Sequence, residues 1–133
     1  MTVNPEEKKK ILLVDDDQSI RVLYARALKS AGFQVETAAN GREAIESLAQ
    51  SEPAVIILDL VMPEQEGIET ILQLHAQHPK IPVIAISGAL GANEYLHVAN
   101  LLGVRATLTK PIQPEQLVKA IRSVLEQRFS VGT

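Results

Sequence analysis

The sequence contains no cysteine and no tryptophan, and only two tyrosines and two phenylalanines among its 133 residues. The absence of cysteine excludes a disulfide framework and thiol chemistry. Because aromatic residues are scarce, Ile, Leu, Val and Ala must form the core, which favours buried parallel strands over an aromatic-rich β-sandwich. A chain of this length can bury one core without disulfide or metal staples, and we expect a single domain.

Long apolar runs and basic clusters are also missing. The longest apolar run, Ala54 to Leu58, is far shorter than the roughly 20 residues that cross a bilayer, and we expect no signal segment from the polar and charged residues that open the sequence. The formal net charge is −3 and the basic tract is limited to Lys8, Lys9 and Lys10. Since nucleic-acid-binding proteins carry a larger basic surface, we predict a cytoplasmic protein that binds neither membranes nor nucleic acid directly.

Short apolar runs alternate with amphipathic segments along the whole chain. Five strands are predicted, at residues 11–14, 34–38, 55–58, 83–86 and 106–109. Helices are predicted between and after them. The first has an apolar face of Ile20, Leu23, Ala27 and Ala31, with Gly32 at its end.

Five strands alternating with five helices predict an α/β fold with a parallel sheet covered on both faces. In such sheets, ligands bind beyond the carboxyl ends of the strands. The polar residues at those ends are Asp15, Asp16, Asp17, Asp59, Ser87 and Lys110. We therefore expect an acidic site with one hydroxyl and one cation.

A cluster of carboxylates needs positive charge. Each pair at about 4 Å costs roughly 4 kcal/mol at an effective dielectric near 20, and Lys110 alone is one charge against several. A hard divalent ion with oxygen ligands fits, and we predict Mg²⁺. Asp59 is then the candidate nucleophile for phosphoryl transfer, with Lys110 neutralising the phosphoryl oxygens and Ser87 donating a hydrogen bond to one of them.

Four segments carry these residues: Ile11–Asp16, Ile57–Pro63 followed by Gly67, Ile86–Gly88, and Leu108–Pro111. In order and spacing they resemble the receiver domains of two-component response regulators, and the resemblance covers roughly Lys10 to Phe129. It implies a flavodoxin-like, doubly wound five-stranded parallel sheet in the order 2-1-3-4-5. The expected boundaries are a flexible arm at 1–10, the receiver domain at 11–129 and a tail at 130–133.

The resemblance also implies roles for single residues. Asp59 would be phosphorylated, Asp15 and Asp16 would organise Mg²⁺ with it, and the Val61 carbonyl would supply a further ligand. Ser87 and Lys110 would contact the phosphoryl group, with a cis peptide before Pro111. The domain would be a regulatory phosphoacceptor that assists its own phosphorylation and dephosphorylation, not an enzyme.

The resemblance to receiver domains also implies which partners this protein would have. The phosphoryl donor would be a sensor histidine kinase or a histidine phosphotransfer protein, and the output would be a downstream protein target. A homodimer would form through the fourth helix, fifth strand and fifth helix. The sequence departs from the family at Thr107. Most relatives carry an aromatic residue at this position, which moves together with the hydroxyl residue, here Ser87. Tyr95 is a candidate to take the role of that aromatic residue. The Glu64–Glu66 loop also lacks a glycine that relatives often have.

Three alternatives remain open. A haloacid-dehalogenase-type phosphatase would use Asp15 and Asp17 as an Asp-x-Asp pair, but it leaves Asp59 without a role and needs further acids after Lys110. A flavodoxin-like nucleotide binder is disfavoured because three aspartates after the first strand would repel phosphate. A receiver-like module that signals by binding alone would keep the fold without being phosphorylated.

Overall fold

The computed structural model describes residues 9–60, 64–88, 97, 100 and 102–130. Its strands are β1 Lys10–Val14, β2 Gln34–Ala38, β3 Val55–Asp59, β4 Val83–Ser87 and β5 Ala106–Thr109. Its helices are α1 Gln18–Ser30, α2 Gly41–Gln50, α3 Glu64–Gln77 and α4 Pro114–Ser130. His97 and Asn100 are helical and Leu102 lies in a turn, and the other residues of the helix predicted before Gly103 lie outside the described residues. The label α4 therefore belongs to the fifth helix of the sequence prediction.

The five strands form one parallel sheet in the order β2-β1-β3-β4-β5, which confirms the predicted fold. β3 and β4 are buried along their whole length, as expected for inner strands covered on both faces. Asp59 pairs with Ile86, and Ser87 pairs with Thr109. The polar residues at the strand ends therefore lie at one edge of the sheet.

Each face of the sheet has its own core. The core on one face is built with α1 and α4, and it includes Leu28, Leu117 and Ile121. The core on the other face is built with α2 and α3, and it includes Leu48 and Leu74. Aliphatic side chains make up most of both cores, as the composition predicted, and the first core also contains the aromatic residues Tyr24 and Phe33.

The predicted apolar face of α1 was wrong at one position. Leu23 is 53% exposed, whereas Tyr24, Ala25 and Leu28 are buried against the sheet. Since Ile20, Leu23, Ala27 and Ala31 follow the helical period almost as well as the true set, spacing alone did not separate the two faces. The inner face therefore contains a tyrosine that the sequence prediction placed outside it.

The segment before α3 was also predicted differently. Glu64–Glu66 was expected to be a loop, but α3 begins at Glu64 and includes Gly67. A Cβ at Gly67 would lie 3.2 Å from Leu60 Cδ2 and 3.4 Å from its Cα. The glycine thus allows the helix to pack closely on the end of β3.

Several boundaries differ from the predictions by one residue. Lys10 belongs to β1, where it pairs with Gln34, so the predicted arm would end at Lys9. Ser130 belongs to α4 and not to the predicted tail. Residues 1–8 and 131–133 lie outside the described residues, so the flexibility of the arm stays a prediction. None of the helices in the described part of the chain has both the length and the apolar character needed to cross a membrane.

Candidate acidic site at the sheet edge

Three carboxylates meet where β1 and β3 end. Asp15 and Asp16 follow β1, and Asp59 is the last residue of β3. One oxygen from each of the three lies within 4.8 Å of the others. Asp15 and Asp59 are each 2% exposed, whereas Asp16 is exposed. The cluster is therefore half buried and open to solvent on the Asp16 side.

Lys110 brings a cation into this cluster from the end of β5. Its Nζ lies 2.6 Å from Asp59 Oδ2 and 3.8 Å from Asp15 Oδ2. Its backbone N–H donates to the Ser87 carbonyl at 2.7 Å, which fixes the lysine to the end of β4. The Lys110–Pro111 peptide is cis, as the resemblance implied.

The charges in the site are unbalanced. Burial, together with the neighbouring Asp59 carboxylate, raises the pKa of Asp15 to about 7, although the Asp17 N–H and Lys110 act in the opposite direction. Burial lowers the pKa of Lys110, but its hydrogen bond to Asp59 and the charges of both aspartates outweigh it, so the net pKa is raised. One ammonium thus offsets only part of the negative charge of three carboxylates.

The residues fit a magnesium ion. The donors are oxygens, two of the three carboxylates are buried, and the charge that they leave uncompensated is the charge a divalent cation would balance. Asp15, Asp16 and Asp59 are the residues that could hold the ion. Val61, whose carbonyl was predicted as a further ligand, lies outside the described residues.

Asp17 has a different task from its neighbours. Its side chain accepts a hydrogen bond from the Ile20 N–H at 3.2 Å and caps α1. Its own N–H donates to Asp15 Oδ1 at 2.9 Å. The Asp-x-Asp pair required by the phosphatase alternative is therefore divided between the acidic site and a helix cap.

The two residues proposed to act as a switch lie on adjacent strands. Ser87 ends β4 and is buried, and its carbonyl binds Lys110. Thr107 lies in β5, half buried, and pairs with Ala85. The substitute candidate Tyr95 lies outside the described residues.

Sequence reasoning missed two residues of α1 that contact the site. Arg21 Nη1 donates to the Asp15 carbonyl at 2.6 Å, and the Tyr24 hydroxyl donates to the Ile112 carbonyl at 3.3 Å. Both contacts are made to backbone atoms, which carry no signature in the sequence. The available signal was the spacing of Arg21 and Tyr24, because residues three apart on a helix lie on the same face.

Comparison with known proteins agrees with this geometry. The family profile described as "Response regulator receiver domain" matches residues 11–122. The transcriptional regulatory protein PrrA of Mycobacterium tuberculosis is 33% identical over 125 residues, which are 93% of this chain and 53% of PrrA. The chemotaxis protein CheY of Thermotoga maritima is 32% identical over 117 residues, which are 87% of this chain and 97% of CheY. The chain thus spans about half the length of relatives such as PrrA and nearly all of CheY.

Solved structures give the same result. A CheY-like receiver domain protein from Methanospirillum hungatei superposes with a TM-score of 0.84 at 27% identity, covering 92% of this chain and 97% of that one. A receiver domain protein from Clostridium thermocellum gives a TM-score of 0.86 at 25% identity, covering 93% and 99%. These matches do not support the phosphatase and nucleotide-binding alternatives. The chain belongs to the response regulator receiver domain family, whose role in two-component signalling is to accept a phosphoryl group.

Proposed function

We propose that Asp59 is the residue of this chain that accepts the phosphoryl group. The observation that carries the proposal is the 2.6 Å contact between Asp59 Oδ2 and Lys110 Nζ inside a cluster of carboxylates. A buried carboxylate that is held by an ammonium and lies at the open edge of a parallel sheet is suited to nucleophilic attack on phosphorus.

The proposed step is an in-line displacement. A carboxylate oxygen of Asp59 forms a bond to the phosphorus, and the phosphorus–nitrogen bond of a donor phosphohistidine breaks. The electron pair of that bond stays on the imidazole, which takes up a proton. Lys110 is placed to neutralise charge on the transferred phosphoryl oxygens, and the Ser87 hydroxyl would donate a hydrogen bond to one of them.

Asp15, Asp16 and Asp59 would hold Mg²⁺, with the Val61 carbonyl as a further ligand. When bound, Mg²⁺ supplies positive charge that offsets the carboxylates and the phosphoryl oxygens. Burial and then the neighbouring Asp59 raise the pKa of Asp15, and a divalent cation bound at this site would offset the charge that Asp15 and Asp59 share.

The phosphorylated state would be transmitted through Ser87 and Thr107. Ser87 would move toward the phosphoryl group, and the smaller Thr107 would respond in place of the aromatic residue expected from the family.

The message would pass to a downstream protein target without direct nucleic-acid binding, and a homodimer would use the predicted fourth helix, β5 and α4. The donor would be a sensor histidine kinase or a histidine phosphotransfer protein in the cytoplasm. The domain would act as a regulatory phosphoacceptor and not as an enzyme.

The test is the intact mass of the protein after incubation with acetyl phosphate and Mg²⁺. The wild type should gain one phosphoryl group, and Asp59→Asn and EDTA-treated wild type should gain none. Asp17→Asn is the matched control, because asparagine also caps helices and the exchange leaves the acidic site intact, so this variant should react as the wild type does. Failure of the wild type to react, under conditions in which another receiver domain does, would support the binding-only alternative.

A further inference from the structure

The loop that carries Lys110 is fastened at two points. On one side, the Lys110 N–H donates to the Ser87 carbonyl at 2.7 Å. On the other side, the carbonyl of Ile112 accepts a hydrogen bond from the Tyr24 hydroxyl at 3.3 Å. Ile112 is also buried in the same core cluster as Tyr24. The position of the lysine thus depends on one contact within the sheet and one contact to α1.

The Tyr24 side chain is buried close to the charged groups of the site. The residue is 5% exposed, and its ring packs in the core beneath the lysine loop. Burial raises the pKa of its hydroxyl, and the charges of Lys110, Asp15 and Asp59 act on it as well. The hydroxyl group therefore lies close to the ionised groups of the site, although it belongs to a different element from all of them.

A second contact from the same helix reaches the opposite side of the site. Arg21, one turn before Tyr24, donates to the Asp15 carbonyl at 2.6 Å. Helix α1 therefore contacts both the acidic loop after β1 and the lysine loop after β5. A rigid helix that contacts two loops fixes the distance between them, and this distance determines whether Lys110 can serve both Asp59 and a phosphoryl group.

We propose that Tyr24 is a positioning residue, whose hydroxyl holds the Ile112 carbonyl and thereby keeps the Lys110 ammonium in place against Asp59. The inference rests on the proposed function of Asp59 and Lys110. In this proposal, an aromatic side chain on α1 contacts the loop that carries Lys110, whereas the position at which relatives carry an aromatic residue is Thr107 in this chain.

The experiment removes the hydroxyl alone with Tyr24→Phe. Rates of phosphoryl gain from acetyl phosphate are followed by intact mass at saturating Mg²⁺. Loss of one neutral hydrogen bond should lower the maximal rate by about two- to tenfold. The matched control is Phe33→Leu, which alters another buried aromatic of the same core, directly before the amino end of β2 and so away from the acidic site at the carboxyl ends of the strands, and it should change the rate by less than about twofold.

Two further measurements separate positioning from a general loss of stability. In a Lys110→Ala background, adding Tyr24→Phe should change the residual rate by less than about twofold, because the group being positioned is gone. In unphosphorylated protein, hydrogen exchange of the Lys110 amide should become about two- to tenfold faster in Tyr24→Phe, while exchange in β1 stays unchanged.

The outcomes are distinct. A wild type that gains no phosphoryl group refutes the function proposed for Asp59, whereas the exchange measurement still reports on Tyr24. A reactive wild type that Tyr24→Phe matches in rate and in Lys110 exchange overturns the inference alone. An equal slowing by Phe33→Leu, or an undiminished effect in the Lys110→Ala background, would assign the hydroxyl a purely structural role and would also overturn it.

Discussion

The burial of the Asp15 carboxylate, together with its repulsion by Asp59, predicts that removing its charge stabilises the metal-free protein. Asp15→Asn is the suitable change, because the amide keeps the shape and the hydrogen bonds of a protonated aspartic acid. Its oxygen can accept from the Asp17 N–H, which donates to Asp15 at 2.9 Å, and its NH₂ group can donate toward Asp59. The variant should therefore resemble the wild type with a proton bound at Asp15.

The magnitude follows from the pKa of Asp15, which burial and Asp59 raise from 3.8 to about 7. At roughly 1.4 kcal/mol per pH unit, ionising this group in the fold costs about 4 kcal/mol. Relaxation of the exposed Asp16 side of the site and entry of water lower this cost, so we expect a stabilisation of about 2 to 4 kcal/mol at pH 8.

The sign of the pH dependence is fixed by the direction of the shift. An acid whose folded pKa is raised holds its proton in the folded state to a higher pH than in the unfolded state. The metal-free wild type should therefore lose stability as the pH rises from about 4 to about 7, and Asp15→Asn should lose less. The difference between the two proteins should grow by about 1 to 3 kcal/mol between pH 5 and pH 8.

The assay is urea denaturation in EDTA, followed by far-ultraviolet circular dichroism at pH 5 and pH 8. Asp17→Asn is the control for losing one negative charge, since that side chain lies at the exposed cap of α1. A difference between Asp15→Asn and the wild type that is the same at both pH values would refute the reasoning, and so would a variant that is less stable than the wild type at pH 8.

The remaining predictions concern charge, metal and packing. Lys110→Met should destabilise the metal-free protein by about 3 kcal/mol at pH 8 and by less at pH 5, where protonation of Asp15 replaces the lost cation; urea denaturation at both pH values measures this. Mg²⁺ at 100 times its dissociation constant should stabilise the wild type by about 2.7 kcal/mol in a thermal melt, and Asp59→Asn should reduce that gain. Gly41→Ala should lower the free energy of unfolding by about 1 to 2 kcal/mol in the same melt, because the new Cβ would lie 2.1 Å from Thr70 Oγ1. Adding Thr70→Ala should recover part of this loss of stability.

The sheet could be predicted because its signal is repeated along the chain. Each inner strand, such as Val55–Asp59, is a short apolar run bounded by turn or helix signals, and the alternation with helices leaves few topologies. The convergence of Asp15, Asp59 and Lys110 follows from the same alternation, since all of them stand at carboxyl ends of parallel strands. The strand order itself came from the resemblance to receiver domains.

The details that failed depend on contacts between distant parts of the chain. Leu23 and Tyr24 fit the helical period about equally well, but Tyr24 faces inward with Ala25 and Leu28, where it packs in the core and its hydroxyl reaches a loop 88 residues later in the chain. The early start of α3 likewise depends on how closely Gly67 packs against Leu60. Periodicity describes a segment by itself, whereas these choices are made by packing energies that appear only in the folded chain.

The most direct test of the proposed phosphoryl acceptor is to locate the modified residue chemically. The sequence has four aspartates, and trypsin separates Asp59, between Arg42 and Lys80, from the other three, between Lys10 and Arg21. Borohydride reduces an aspartyl phosphate to homoserine, so protein treated with acetyl phosphate and Mg²⁺ and then reduced should carry homoserine in the peptide that contains position 59. Homoserine in the peptide of Asp15 to Asp17, or in neither peptide of a protein whose mass had increased, would contradict the account.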